Sequence, residues 1–190
     1  MRKLSVLLAA VAAGASAPAF AGDIAGPRVE AILGWDNVRV DIDGLGHGSR
    51  SGFMYGLGLG YDFAVGGNVA LGIDAEISDS TADLDVTDGT DRARLSAGRD
   101  LYVGGRVTGA VSDRFNVYAK AGYTNARIKG SVTTGGVTDS DSANGDGIRL
   151  GAGAQYMVTS NAYVGAEYRY SNYEGGLSRH QVAATIGYRF

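Results

Sequence analysis

The chain has 190 residues, with 17 Lys or Arg against 20 Asp or Glu and a formal charge of -3, an acidic balance that argues against nucleic acid as a partner. Cysteine is absent, which excludes disulfide staples and thiolate sites, and the 31 glycines follow no triplet repeat. The only prolines, Pro18 and Pro27, precede the predicted strands, as uninterrupted hydrogen-bond ladders require.

Arg2 and Lys3, the apolar run from Leu4 to Ala13 and the small-x-small site Ala19-Phe20-Ala21 read as a secretory signal peptide over 1–21, leaving one domain over 22–190. That run is too short to cross a bilayer as a helix, and no later segment approaches the roughly 20 apolar residues a spanning helix needs. Loss of Arg2 and Lys3 takes the basic count from 17 to 15 against 20 acidic residues, a formal charge of about -5.

Eight alternating runs follow, each with the period of two that marks a strand. In the first, Val29, Ala31, Leu33 and Trp35 alternate with Arg28, Glu30, Ile32 and Gly34; the phase breaks near Asp36 and Asn37, either at a bulge or where the strand leaves the membrane, and a polar stretch from Asp41 to Ser51 follows. The second sets Phe53, Tyr55, Leu57, Leu59, Tyr61 and Phe63 against Gly52, Met54, Gly56, Gly58, Gly60 and Asp62, then turns over Ala64 to Asn68. The third sets Leu71, Ile73 and Ile77 against Asp74 and Glu76, and a long acidic loop is expected to about Ser96. The fourth sets Leu101, Val103 and Val107 against Asp100, Tyr102 and Arg106, and the fifth Phe115, Val117 and Tyr123 against Tyr118 and Lys120. After a Gly/Ser/Thr/Asp-rich stretch from Lys129 to Asp146, expected to be a loop, the sixth sets Ile148, Leu150 and Tyr156 against Arg149 and Gln155. The seventh sets Val164, Ala166, Tyr168 and Tyr170 against Tyr163, Glu167, Arg169 and Ser171, and a loop is expected over Glu174 to Arg179. The eighth carries Val182, Ala184, Ile186, Tyr188 and Phe190 between Gln181, Thr185, Gly187 and Arg189.

Eight runs of this length joined by alternating short and long connections predict an all-β fold: an eight-stranded antiparallel up-and-down transmembrane β-barrel, with both termini and the short turns on the periplasmic side. Aromatic residues place the apolar face outward. Tyr61, Phe63, Phe115, Tyr188 and Phe190 gather at the short-turn ends, and Trp35, Phe53, Tyr55, Tyr123, Tyr168 and Tyr170 at the long-loop ends, as two interfacial girdles do. The other face carries Glu30, Asp74, Glu76, Asp100 and Glu167 beside Arg106, Lys120, Arg149, Arg169 and Arg189. In a barrel whose interior is just wide enough for its side chains, these form a lumenal ion-pair network, joined by Tyr102, Tyr118 and Tyr163.

The signal peptide, the eight strands, Glu167-Tyr168-Arg169-Tyr170-Ser171-Asn172-Tyr173 and the terminal Gly187-Tyr188-Arg189-Phe190 resemble the outer-membrane β-barrel domain family of opacity proteins and OmpA-type transmembrane domains, across essentially the whole mature chain. The resemblance implies a cell outer-membrane protein inserted by the barrel-assembly machinery, with Ile186, Tyr188 and Phe190 in the terminal assembly signal. Thr185 departs from the Gly that this signal often carries.

No catalytic, cofactor or metal site is expected. His47 and His180 lack the company of metal ligands. Ser171 and His180 lie on opposite faces by alternation, which leaves no nucleophile–base dyad. The runs Asp83, Asp85, Asp88, Asp91 and Asp139, Asp141, Asn144, Asp146 fail as calcium loops because Arg94 and Leu150 stand where the closing Glu belongs, and Gly56 to Gly60 lies within a strand, unlike a phosphate loop. The expected function is a non-enzymatic, monomeric barrel that contributes to envelope structure, contacts outer-membrane lipid and lipopolysaccharide, and presents surface loops whose ligand composition does not name. A narrow porin is the alternative, and a lipid-modifying enzyme a distant third.

Overall fold

Period-two alternation, the lack of Pro beyond Pro27 and small residues at every few positions make nearly every segment extended. The computed structural model describes residues 24–190 apart from 43–45, 89–90 and 135–136, so the expected signal peptide lies outside the described residues. Among the described residues the strands are β1 (Gly26–Ile42), β2 (Gly46–Gly66), β3 (Val69–Ser80), β4 (Asp83–Asp88), β5 (Asp91–Ser112), β6 (Phe115–Thr134), β7 (Val137–Met157), β8 (Ala162–Tyr173) and β9 (Leu177–Arg189), with a 3-10 turn at Glu174–Gly176.

Neighbours in sequence pair antiparallel around the ring except β3 and β4, which both pair with β5. Because β4 carries on the track of β3 after an interruption at Thr81 and Ala82, nine strands make eight staves. The ring closes where β9 meets β1, in register from Arg28↔Arg189 to Val40↔Leu177, and the amide of Phe190 donates to the carbonyl of Pro27 at 2.9 Å. The fold is thus a closed eight-staved antiparallel barrel, with every stave hydrogen-bonded on both sides through its central part.

The outward face is apolar. Leu57, Ile73, Ile148 and Ile186 are 62–66% exposed, flanked at one end by the ring pairs Tyr61–Phe63 and Tyr188–Phe190 and at the other by Trp35, Tyr55, Tyr123 and Tyr168. Phe115 stands opposite Tyr156, adding a further aromatic to the short-turn end. An exposed apolar band of this extent between two aromatic rings is a lipid-facing surface.

Inward, glycines make room for long side chains. A Cβ at Gly187 would collide with the ring of Tyr163, and one at Gly60 with the guanidinium of Arg28, so each bare backbone is roofed by a neighbouring strand's side chain.

Three expected loops are corrected, and one open reading is resolved. The phase break at Asp36 and Asn37 is not a bulge, since β1 and β2 keep one register from Gly26↔Asp62 to Ile42↔Gly46; it marks the point where the strand passes beyond the upper aromatic ring and Val38 turns inward. The stretches expected as loops to Ser96 and from Lys129 to Asp146 continue as the β4–β5 and β6–β7 hairpins, and β9 begins within the loop expected over Glu174 to Arg179. The common reason is a reversal of polarity beyond the upper aromatic ring. There Val38, Ala82, Ala126, Tyr173 and Leu177 form a buried apolar cluster inside the barrel, while Arg39 and Arg127 are exposed. Apolar residues point out where the surroundings are lipid and in where they are water, so the alternation persists as its chemistry inverts.

The staves are consequently unequal. β5, β6 and β7 run for 22, 20 and 21 residues, but β8 and β9 for only 12 and 13, leaving the long-hairpin end high on one side and notched on the other.

Candidate functional site

The lumen is where this chain concentrates its chemistry. Alternation on every stave sends one side chain in two to the interior, and the described residues there include seven buried cations (Arg28, Arg106, Lys120, Arg149, Arg169, Arg179, Arg189) and seven buried anions (Glu30, Asp36, Asp62, Asp74, Glu76, Asp100, Glu167). Charge of one sign cannot accumulate in a medium this poor in water, and the equal counts meet that requirement.

The pairs fall into three connected groups. Toward the short turns, Arg28 of β1 donates from Nε to Asp62 Oδ2 at 2.9 Å, from Nη1 to Glu30 Oε1 at 3.3 Å, and also to Asp74. Arg106 of β5 donates to Asp74 Oδ2 at 3.1 Å and lies over the ring of Tyr118, 3.9 Å from its centroid. Arg189 reaches Asp62 Oδ2 at 3.1 Å, while the Tyr163 hydroxyl and Gln155 amide donate to Glu30 Oε1 at 2.8 and 3.2 Å.

At mid-height, Lys120 Nζ of β6 lies 2.5 Å from Glu76 Oε1 and 2.7 Å from Glu167 Oε1. Arg169 of β8 bridges the same two carboxylates, at 3.1 Å to Glu76 Oε2, and Tyr118 donates to Glu167 Oε2 at 2.6 Å. Toward the long hairpins, Asp100 accepts from Arg149, from Arg179 Nη1 at 3.0 Å, from Tyr173 at 2.9 Å and from Thr124 at 2.6 Å. Arg179 also pairs with Asp36, joining β9 to β1.

All ten charged residues expected in the lumen are brought together here, along with Tyr102, Tyr118 and Tyr163. Four members were missed. Arg28 and Asp62 share the phase of Glu30 and Gly60, so alternation alone identifies them. Asp36 and Arg179 were hidden by ending β1 and starting β9 too close to the aromatic ring.

Beside the charges, Ile32, Met54 and Ala183 form a small apolar cluster on β1, β2 and β9. The Tyr102 hydroxyl and both polar atoms of the Gln181 amide are buried without a hydrogen-bond partner among the described residues, as are the hydroxyls of Thr108 and Thr185. A cavity of about 470 Å³ opens at the short-turn mouth among Ile24, Ser112, Arg114, Met157 and Ser160, and its described lining includes none of the paired charges.

Elsewhere, Ser171 Oγ accepts from Arg149 Nε at 2.8 Å inside the barrel, whereas His180 Nδ1 lies 2.7 Å from the Tyr168 hydroxyl on the outer face. The two residues do not meet. The side chains of His47, Asp83, Asp85, Asp88, Asp91 and Asp139 lie outside the described residues. Asp141 accepts from the amide of Ser142 at 2.7 Å, and Asp146 from Tyr123 and from Asn125 at 2.6 Å. Gly56 to Gly60 lies within β2.

A closed barrel that is apolar outside, girdled by aromatics and charge-paired inside belongs to the class of transmembrane β-barrels. The model of the outer membrane protein beta-barrel domain family matches residues 7–190, and the chain belongs to this family, whose members are outer-membrane proteins. Among solved structures it is similar to the attachment invasion locus protein Ail of Yersinia pestis, with 18% identity and a TM-score of 0.58 over 88% of this chain and all of that one. It is also similar to Neisserial surface protein A, with 17% identity and a TM-score of 0.58 over 87% of this chain and 97% of that one. Ail in complex with the heparin analogue sucrose octasulfate aligns at 16% identity and a TM-score of 0.56, over 87% of this chain and 99% of that one. These likenesses are of fold. No curated protein matches the sequence.

The Asp36–Arg179 pair gives a clean test of the lumenal energetics, because Asp100 keeps Arg149 when Arg179 is removed. Arg179→Met, which strands Asp36 in the interior, is expected to destabilise the folded barrel by about 3–5 kcal/mol. Asp36→Leu combined with Arg179→Met should recover most of that loss in urea unfolding of the detergent-solubilised protein. A double variant as unstable as the single one would contradict pairing as the source of the effect.

Proposed function

We propose that this chain is a non-enzymatic outer-membrane barrel that contributes to envelope structure, holds a closed lumen and presents its long hairpins outside the cell. The observation that carries the reading is the balanced set of buried charges, each carboxylate paired across the interior where a conducting pore would need water. The short turns and both termini then face the periplasm, and the aromatic rings mark the two boundaries with lipid and lipopolysaccharide. Separation of Ser171 from His180 supports the non-enzymatic reading.

The terminal strand has a second role in this reading. Ile186 and Tyr188 on the lipid-facing side of β9 and Phe190 just beyond it are all exposed, and form the signal engaged by the barrel-assembly machinery during insertion.

A narrow porin is the second reading. What favours it is the unpartnered Tyr102 hydroxyl and Gln181 amide, which offer hydrogen bonds to water inside the lumen. Deciding between the two takes a planar bilayer: the closed barrel is expected to pass no resolvable single-channel current, and steady voltage-independent conductance would favour the porin. For the terminal strand, Phe190→Asp should lower the amount of protein reaching the outer membrane several-fold while leaving the heat-modifiable gel shift of the assembled fraction unchanged. Normal levels of this variant in the membrane would remove the signal role.

A further inference from the structure

The cavity of about 470 Å³ at the short-turn mouth lies between the β5–β6 turn and the β7–β8 turn, with Ile24, Asn116 and Met157 as its buried walls. Its walls are fixed by hydrogen bonds. The amide of Met157 donates to the carbonyl of Arg114 at 2.8 Å, which ties the first turn to the end of β7. In the second turn the amide of Val158 donates to the carbonyl of Ala162, and the amide of Ala162 to Thr159 Oγ1, each at 2.9 Å. A volume of this size falls within the roughly 300–1,000 Å³ of small-molecule sites, which are largely pre-formed.

The inner side of this cavity carries unused hydrogen-bonding capacity. Asn116 is only 3% exposed, yet its side-chain amide makes no hydrogen bond among the described residues. It stands between Ala110 on β5 and Gln155 on β7. Gln155 donates from Nε2 to Glu30 at 3.2 Å, which leaves its buried Oε1 without a donor among the described residues. Thr108, two residues from Ala110 on the same face of β5, likewise keeps a buried, unpartnered hydroxyl. Buried polar groups are seldom left in this state, and three of them share one end of the barrel.

The chemistry of the occupant follows from what these groups offer. Behind them Arg28, Asp62 and Asp74 are paired with one another, and at the rim Asp113 and Arg114 carry opposite charges side by side. A charged ligand therefore meets no spare counter-charge. An apolar ligand would leave the amide, carbonyl and hydroxyl unpaired. What fits is a neutral molecule that both donates and accepts, with a small apolar part to lie on Ile24 and Met157. A pyranose with an acetamido group has each of these features: hydroxyls that donate and accept, an amide to pair with that of Asn116, and a methyl group.

We propose that the cavity at the short-turn mouth binds a neutral acetamido sugar, held by the Asn116 amide with Thr108 and Gln155 behind it and seated on Ile24 and Met157. The site goes beyond the envelope reading, and its failure leaves that reading intact.

The test titrates N-acetylglucosamine into the full barrel in lipid nanodiscs and follows the side-chain amide of Asn116 and the methyl group of Met157 by NMR. Both signals should shift with one saturation curve. Asn116→Leu should weaken binding about tenfold, the loss of one or two hydrogen bonds. Ser160→Trp, in an exposed turn at the rim, should abolish binding by filling the cavity, and heat-modifiable gel mobility confirms that both variants fold. Glucose, which lacks the acetamido group, should bind more weakly. Absence of any shift, equal binding of glucose or of inorganic phosphate, or unchanged binding to either variant would each overturn the proposal. So would nuclear Overhauser contacts from the residues before Ile24 to the Met157 methyl that persist at saturating sugar, since the chain itself would then fill the site.

Discussion

The contact on which the rest of the structure depends is the ladder between β1 and β9. Within hydrocarbon no water is present to satisfy a free strand edge, and each stranded amide or carbonyl would be costly, so a sheet in a membrane must close. Here the two ends of the domain meet over thirteen residue pairs, from Arg28↔Arg189 to Val40↔Leu177. Once that seam forms, every inward side chain faces a common interior, and the lumenal charges lie within reach of partners on staves far away in sequence. Arg179–Asp36 and Tyr163–Glu30, at sequence separations of 143 and 133, are products of the closure.

Closure also explains why the interior is both charged and full. Large side chains such as Arg28, Arg149, Arg169 and Tyr163 occupy a lumen of fixed width, and glycines on adjacent staves leave the room for them. Equal numbers of buried cations and anions among the described residues allow this filling without net charge, and the shared carboxylates Asp74, Glu76 and Asp100 tie several staves to one another. The same feature that resists ion flow in the proposed function gives the barrel mechanical continuity between its walls.

Much of this was legible in the sequence because period-two alternation encodes the face of every residue between the aromatic rings. Glu76 and Ile77, or Arg169 and Tyr170, were assigned to opposite faces without any knowledge of pairing. Legibility ended at the upper ring for a physical reason. Beyond Trp35 and Tyr123 the outside is aqueous, so Val38 and Ala126 turn inward and Arg127 turns outward, and an alternation defined by apolar-out residues looks broken there. Strands were therefore ended early, Asp36 and Arg179 dropped out of the site, and hairpins rich in Asp, Ser and Gly were mistaken for loops. Which carboxylate meets which cation was also invisible, since that depends on register between staves, and local alternation carries no information about it.

Because the chain contains no cysteine, the seam can be interrogated directly. Ala31 and Ile186 stand opposite each other on β1 and β9 and both point outward, so Ala31→Cys combined with Ile186→Cys places one thiol on each side of the closure. A closed monomeric barrel predicts that mild oxidation of the outer-membrane protein gives an intramolecular disulfide, read as a non-reducing mobility change without any dimer. Cross-linking only between chains, or none at all while the barrel remains folded, would contradict the β1–β9 closure.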